Sequence, residues 1–199
     1  KAIFMDQLLL NIHPSAEKTL QNFVVGNNQE CIAALNKFVR SNNNQFIYLW
    51  GDKGSGKSHL SEALSSQDIT IIEDIDTFNE KQQIETFYLF NQHKTTHTKM
   101  LLTGLNAPTH MGLREDLSSR LSWGLVYQLK GLTDTEKILA LEHHAKEKGM
   151  SLNLNVLVYC MKHLKRDLPS LITTLDALDE WSLKTKKPIT IPLLKQLID

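Results

Sequence analysis

The sequence predicts a parallel α/β domain followed by a small all-helical one, and three observations carry that prediction. Short apolar runs alternate with amphipathic helical patterns as far as Lys130, a glycine-rich loop joins the first such run to a helix, and beyond Lys130 the strand pattern stops. Alternation demands crossover connections, which make neighbouring strands parallel and cover both faces of the sheet. With 199 residues, 41% of them hydrophobic and 22% charged, the chain can bury an ordinary core. Its 22 Lys and Arg balance its 22 Asp and Glu, so no global field draws it to nucleic acid or to an acidic membrane surface. Cys31 and Cys160 lie far apart in apolar, helix-like settings, where buried free thiols are expected rather than a disulfide framework or a metal pair. No apolar run approaches the ~18 residues of a membrane span and no signal peptide is visible. A reducing cytoplasm is the expected compartment.

Residues 1–18, KAIFMDQLLLNIHPSAEK, read as a flexible tail. A turn at Gly26-Asn27-Asn28 precedes a helix from about Gln29 to Arg40 that buries Ile32, Leu35 and Val39, and the Asn-rich SNNN stops it. QFIYLW is a buried-type strand, GKSHLSEALSS opens a helix, and ITIIEDI is the second strand. NEKQQIETFYLFNQHK is a helix with Ile84, Phe87, Leu89 and Phe90 pointing inward. KMLLTGL is the third strand, GLREDLSSRLSW a short helix and GLVYQL the fourth strand. Thr133 and Glu136 then form a capping box for a helix ending at Gly149, and three further helical segments complete the chain. The expected division is a tail (1–18), an α/β nucleotide-binding domain (19–130) and a helical domain (131–199).

GDKGSGKS, Gly51 to Ser58, satisfies the phosphate-loop pattern between a strand and a helix. Gly51, Gly54 and Gly56 let the backbone curl, so that its N–H groups, with those of Asp52, Lys53, Ser55 and His59, surround phosphates at a positive helix end. Lys57 neutralises phosphate charge, and Ser58 is suited to Mg²⁺. Sixteen residues beyond Lys57 the second strand ends in Glu73-Asp74, candidates for holding the metal and, for Asp74, for polarising an attacking water. The alternative is that both acids simply end a strand and cap the next helix. His93 and His97 straddle a helix end without an intervening glutamate, so a zinc site is not expected; His143-His144 reads as a solvated helix face.

TLQNFVVGNN, LLTGLNAP, DLSSRLSWGLVYQLKGLTDTEK and LITTLDALDEWSL with KPITIPLLKQL together resemble the Hda family, the DnaA-related regulators of replication initiation. The similarity runs over residues 7 to 199. It implies the α/β class in a specific form: a P-loop AAA+ base with a short parallel sheet, followed by a small α-helical lid domain. Val25 and Gly26 join the nucleotide site by the same resemblance. Relatives have one more strand and helix between the two nucleotide motifs, in a position that lies at the sheet edge. DnaA itself carries a DNA-binding domain after its lid, and the resemblance implies a regulator without one.

The resemblance also implies partners. QLLLNI resembles the family's sliding-clamp-binding peptide, with Gln7 first and Leu8, Leu10 and Ile12 as anchors; docking of this segment on its own domain is the alternative. Arg120 aligns with the arginine finger that acts in trans on a neighbour's ATP; the alternative is a surface ion pair with Glu115 or Asp116. Leu105 stands at the polar sensor position, with Asn106 beside it. Pro169 replaces the lid arginine that would reach a terminal phosphate, and Arg166 lies one turn earlier.

These departures favour ADP over ATP as the bound nucleotide, with Mg²⁺. The expected function is negative regulation of replication initiation by promoting hydrolysis of DnaA-bound ATP. The competing readings are a self-contained P-loop ATPase such as a helicase loader, and a DNA-binding initiator, which neutral charge disfavours. DNA contact is expected only indirectly or weakly, membrane contact not at all, and a homodimer is compatible with the sequence.

Overall fold

A computed structural model describes residues 17–40 and 46–198. They form two compact units, residues 17–131 and residues from 132 onward.

The first unit is built on strands β1 (Phe46–Trp50), β2 (Ile69–Ile72), β3 (Lys99–Gly104) and β4 (Leu125–Gln128) in the order β2-β3-β1-β4, every pair parallel. Helices α1 (Gln29–Arg40), α2 (Lys57–Leu64), α3 (Glu80–Thr96) and α4 (Glu115–Leu121) accompany them. Strand residues alternate between two faces, and the two cores of the unit follow that alternation. Ile47, Leu49 and Leu101 pack with Leu35, Phe38, Leu60 and Leu64 of α1 and α2. Phe46, Tyr48, Met100 and Leu102 pack with Phe90, Leu117 and Leu121 of α3 and α4. Because β1 is central and covered on both sides, four of its five residues are buried. The acidic strand β2 lies at one edge and pairs only with β3 among the described residues.

Helix phase departs from the apolar reading in two places. In α1, Phe38 is buried and Val39 only half-buried. In α3 the buried residues are Gln83, Thr86 and Phe90, while Ile84 and Leu89 are half-buried. Asn79 and Gln82 cap α3 reciprocally, which fixes where the helix begins and hence its phase. The inward polar groups are satisfied. The Gln83 amide donates to Phe78 O (2.9 Å) and accepts from Arg114 N (2.9 Å), and the Thr86 hydroxyl donates to Gln82 O (2.8 Å).

The second unit holds α5 (Asp134–Glu147), α6 (Leu154–His163), α7 (Leu168–Thr185) and α8 (Ile191–Ile198). Leu141, Leu157, Cys160, Leu171, Leu175, Leu178 and Leu194 make its core. Thr133 and Glu136 form the predicted capping box. His144 is not on a solvated face: its ring bonds Asp176 Oδ1 at 2.7 Å, and Lys148 Nζ meets the same oxygen at 2.8 Å, tying α5 to α7. The spacing of His143-His144 could not show this, because Asp176 lies 32 residues away. Both cysteines are free and buried, and burial pushes the Cys160 thiol up to about 11.

Candidate functional site

Parallel strands place their C-terminal ends together, and β1 and β2 bring both nucleotide motifs to that end of the sheet with β3 between them. Gly51 to Gly56 leave β1 and enter α2. Gly56 stands at the N-cap with φ 103°, and a Cβ there would lie 2.6 Å from the Phe23 ring. Both the left-handed backbone and the contact require glycine. Helix α2 begins with no side-chain cap. Lys57 is 7% exposed, and its ammonium donates to Gly51 O (2.5 Å) and Asp52 O (3.0 Å). Burial pushes its pKa below the usual lysine value, and the carboxylates of Asp74, Asp76 and Asp52 oppose that shift. Ser55 is buried, its hydroxyl without a hydrogen-bond partner, while Ser58, Asp52, Lys53 and Gly54 are exposed.

Glu73 and Asp74 follow β2 with exposed side chains, and Asp74 takes a left-handed backbone (φ 51°) as its N–H reaches the Thr103 hydroxyl at 3.3 Å. Asp76 does what sequence reasoning assigned to no residue. Its carboxylate accepts from Leu105 N (2.5 Å) and Asn106 N (3.3 Å), while the Tyr48 hydroxyl donates to Asn106 O (2.7 Å). The loop after β3 is therefore pinned by a third acid, visible in EDID only as one more aspartate.

His59 contacts the carbonyl of Thr19 (3.0 Å) and the edge of the Phe23 ring, holding residues 19–23 against α2. Val25 and Gly26 are half-buried in the turn closed by Asn28 N to Val25 O (2.9 Å). Asn28 exchanges two hydrogen bonds with the backbone of Lys130, joining this segment to the end of β4. Gln7, Leu8, Leu10 and Ile12 lie outside the described residues.

Arg120 sits on the last turn of α4 and is not paired with a carboxylate among the described residues. Its Cζ lies 3.6 Å from the Trp123 ring centroid and 5.1 Å from that of Phe87, and its Nε is buried without a hydrogen-bond partner. Asp116 is engaged instead by Arg114 (3.0 Å), whose guanidinium also meets Glu80 at 3.5 Å. In the helical unit, Arg166 faces Asp134 at 3.6 Å, and Pro169 occupies the first turn of α7, where a missing N–H costs nothing. His93 bonds the hydroxyls of Thr70 and Thr98. No metal-holding group of His, Cys, Asp and Glu occurs among the described residues, and none of the helices there is long and apolar enough to cross a membrane.

Comparison with known proteins adds three findings. The family model "Hda, lid domain" matches residues 134–198, and "Bacterial DnaA ATPase domain" matches residues 61–128. An uncharacterized protein of Haemophilus influenzae is 31% identical over 227 aligned residues, covering 97% of this chain and 98% of that protein. The aligned length exceeds the 199 residues of this chain, so the relative carries residues that this chain lacks. Among solved structures, domain III of the Thermotoga maritima replication initiation protein DnaA superposes with a TM-score of 0.72 at 19% identity, over 93% of this chain and 97% of that one. AMPPCP-bound DnaA of Aquifex aeolicus gives 0.67 at 18% identity, over 86% and 70%. The Thermotoga maritima RuvB branch migration motor gives 0.63 at 14%, over 91% and 71%. These structural likenesses establish the shared fold.

Proposed function

The chain belongs to the Hda-like, DnaA-related AAA+ proteins, and from that membership we propose that it regulates replication initiation by promoting hydrolysis of DnaA-bound ATP. Its own nucleotide is ADP, held as a structural ligand. The residues present fit a nucleoside diphosphate. Ser55 offers a buried hydroxyl with no partner, α2 begins uncapped, and the Lys57 ammonium is held only by carbonyls, which a phosphate would outcompete. Bound ADP would supply the anion that closes the loop on α2, with Mg²⁺ beside Ser58, Glu73 and Asp74. Features that would read a terminal phosphate are weak. The Leu105 N–H is committed to Asp76, and Pro169 offers no cation.

The sliding clamp would recruit the protein through Gln7, Leu8, Leu10 and Ile12. Arg120 would then act on DnaA in trans, its fixed charge and planar fork suited to a developing phosphoryl charge. The observation that carries this reading is the absence of any carboxylate partner for Arg120 among the described residues, although Asp116 lies one turn away on the same helix. The competing account, a surface ion pair with Glu115 or Asp116, finds no such pair among the described residues, where Asp116 meets Arg114 instead.

The test measures hydrolysis of DnaA-bound ATP with this protein and DNA-loaded clamp. Arg120→Ala should abolish stimulation while leaving ADP and clamp affinity intact, because a finger acting in trans contributes nothing to its own pocket. Steady phosphate release by the protein alone, unaffected by Arg120→Ala, would favour the self-contained ATPase instead.

A further inference from the structure

The Arg120 guanidinium lies on an indole, and the geometry of that indole is itself fixed. Trp123 N donates to Arg120 O at 3.0 Å, which locks the two residues into one turn at the end of α4. The next residue, Gly124, passes so close to β1 that a Cβ would lie 2.2 Å from Phe46 O, so only glycine fits where this turn hands over to β4. The Trp123 ring is 47% exposed yet carries two cations, Arg120 Cζ at 3.6 Å and Lys94 Nζ at 4.4 Å. Neither cation has an ion-pair partner among the described residues.

We propose that Trp123 is a positioning residue for Arg120. It fixes the guanidinium by stacking, so the terminal N–H groups face outward in one orientation and no carboxylate must be displaced before they meet an anion. Stacking engages the faces of the guanidinium, whereas hydrogen bonding to a phosphoryl group uses its in-plane edges, so both can operate at once. A carboxylate would orient the arginine equally well, but it would occupy those edges and neutralise the charge. The same ring brings Lys94 to the site as a second cation, which suits a partner group carrying more than one negative charge. This inference rests on the proposed role of Arg120 toward nucleotide bound to DnaA.

The full-length protein as parent, Trp123→Phe and Trp123→Leu test it through two readouts. The first is the Arg120 Nε–H resonance, which needs no partner. It should be shifted upfield by the ring and protected from exchange in the parent and in Trp123→Phe, and should move to ordinary values in Trp123→Leu. The second is stimulated hydrolysis of DnaA-bound ATP. At saturation Trp123→Leu should lose about tenfold to a hundredfold, with the half-saturating concentration little changed, because misplacing a catalytic group costs rate more than binding. Trp123→Phe should keep most of the rate.

A parent whose Nε–H resonance is unshifted and exchanges freely would overturn the proposal. So would a folded Trp123→Leu that stimulates like the parent, or a folded Trp123→Phe that fails to stimulate. If Trp123→Leu does not fold, the parent and Trp123→Phe decide the matter alone. A parent that shows the stacked resonance but never stimulates DnaA would instead overturn the assigned target of Arg120, which separates the two failures.

Discussion

Lys57 is buried among backbone carbonyls, and that environment makes a direct prediction. Lys57→Ala should eliminate detectable ADP binding in calorimetry, and with it the rise in melting temperature that ADP gives the parent. A ligand at a hundred times its Kd is worth about 2.7 kcal/mol of stability, so the loss is measurable. A variant that still gains the parent's full shift would show that Lys57 does not touch phosphate. At this scale the phosphate loop was legible in the sequence because its chemistry is local: eight consecutive residues carry the turn, the lysine and the hydroxyl. Asp76 was not legible, since its role depends on Leu105 and Asn106, some thirty residues away. Arg120 lay between these cases. The motif located it, but whether Asp116 would claim it depended on Arg114 and Glu80.

Elements meet at two joints that can be tested. Gly124 opens β4 against β1, and Gly124→Ala should cost about 1–3 kcal/mol in urea unfolding, the usual penalty for overfilling a packed site; an unchanged midpoint would mean the strand ends can part freely. At the other joint the His93 ring bridges Thr70 of β2 and Thr98 just before β3. Burial pushes its pKa below the usual 6.5, against the opposing hydrogen bond from Thr98. An unfolded chain therefore binds the proton more readily than the folded one. The ring's contribution is fully present above pH 6.5 and is lost as pH falls through the lower folded value. Between about pH 7.5 and 5.5 the parent should lose more melting temperature than His93→Gln; equal losses would remove His93 from the account. Strand positions were readable because FIYLW and KMLLTG contain short, nearly continuous apolar runs, the pattern of strands buried on both faces. The inner face of α3 was not, because Gln83 and Thr86 are buried by virtue of hydrogen bonds that no hydrophobic pattern announces.

Across the whole molecule, the two-part organisation showed in the sequence as the point where strands cease, and each unit has cores of its own. Sheet order was not readable from periodicity; the order β2-β3-β1-β4, with the acidic strand at an edge, came from the structure. The clamp-binding peptide is proposed to work apart from the fold. Gln7→Ala with Leu10→Ala should remove clamp binding in surface plasmon resonance while leaving melting and ADP affinity unaltered. Earlier melting with clamp binding retained would make the segment part of a core. The edge position of β2 also bears on solubility. Ile-Thr-Ile-Ile is a short, strongly β-forming run with half-buried side chains, and its outer backbone groups form a template on which another copy could assemble. Asp68 before it and Glu73 after it, both exposed, place like charges where a second copy of the strand would arrive. Replacing both, Asp68→Asn with Glu73→Gln, should make turbidity on warming develop roughly several-fold faster at equal thermodynamic stability. A chain whose acidic strand pairs only with β3 among the described residues should thus depend on two flanking carboxylates to stay dispersed.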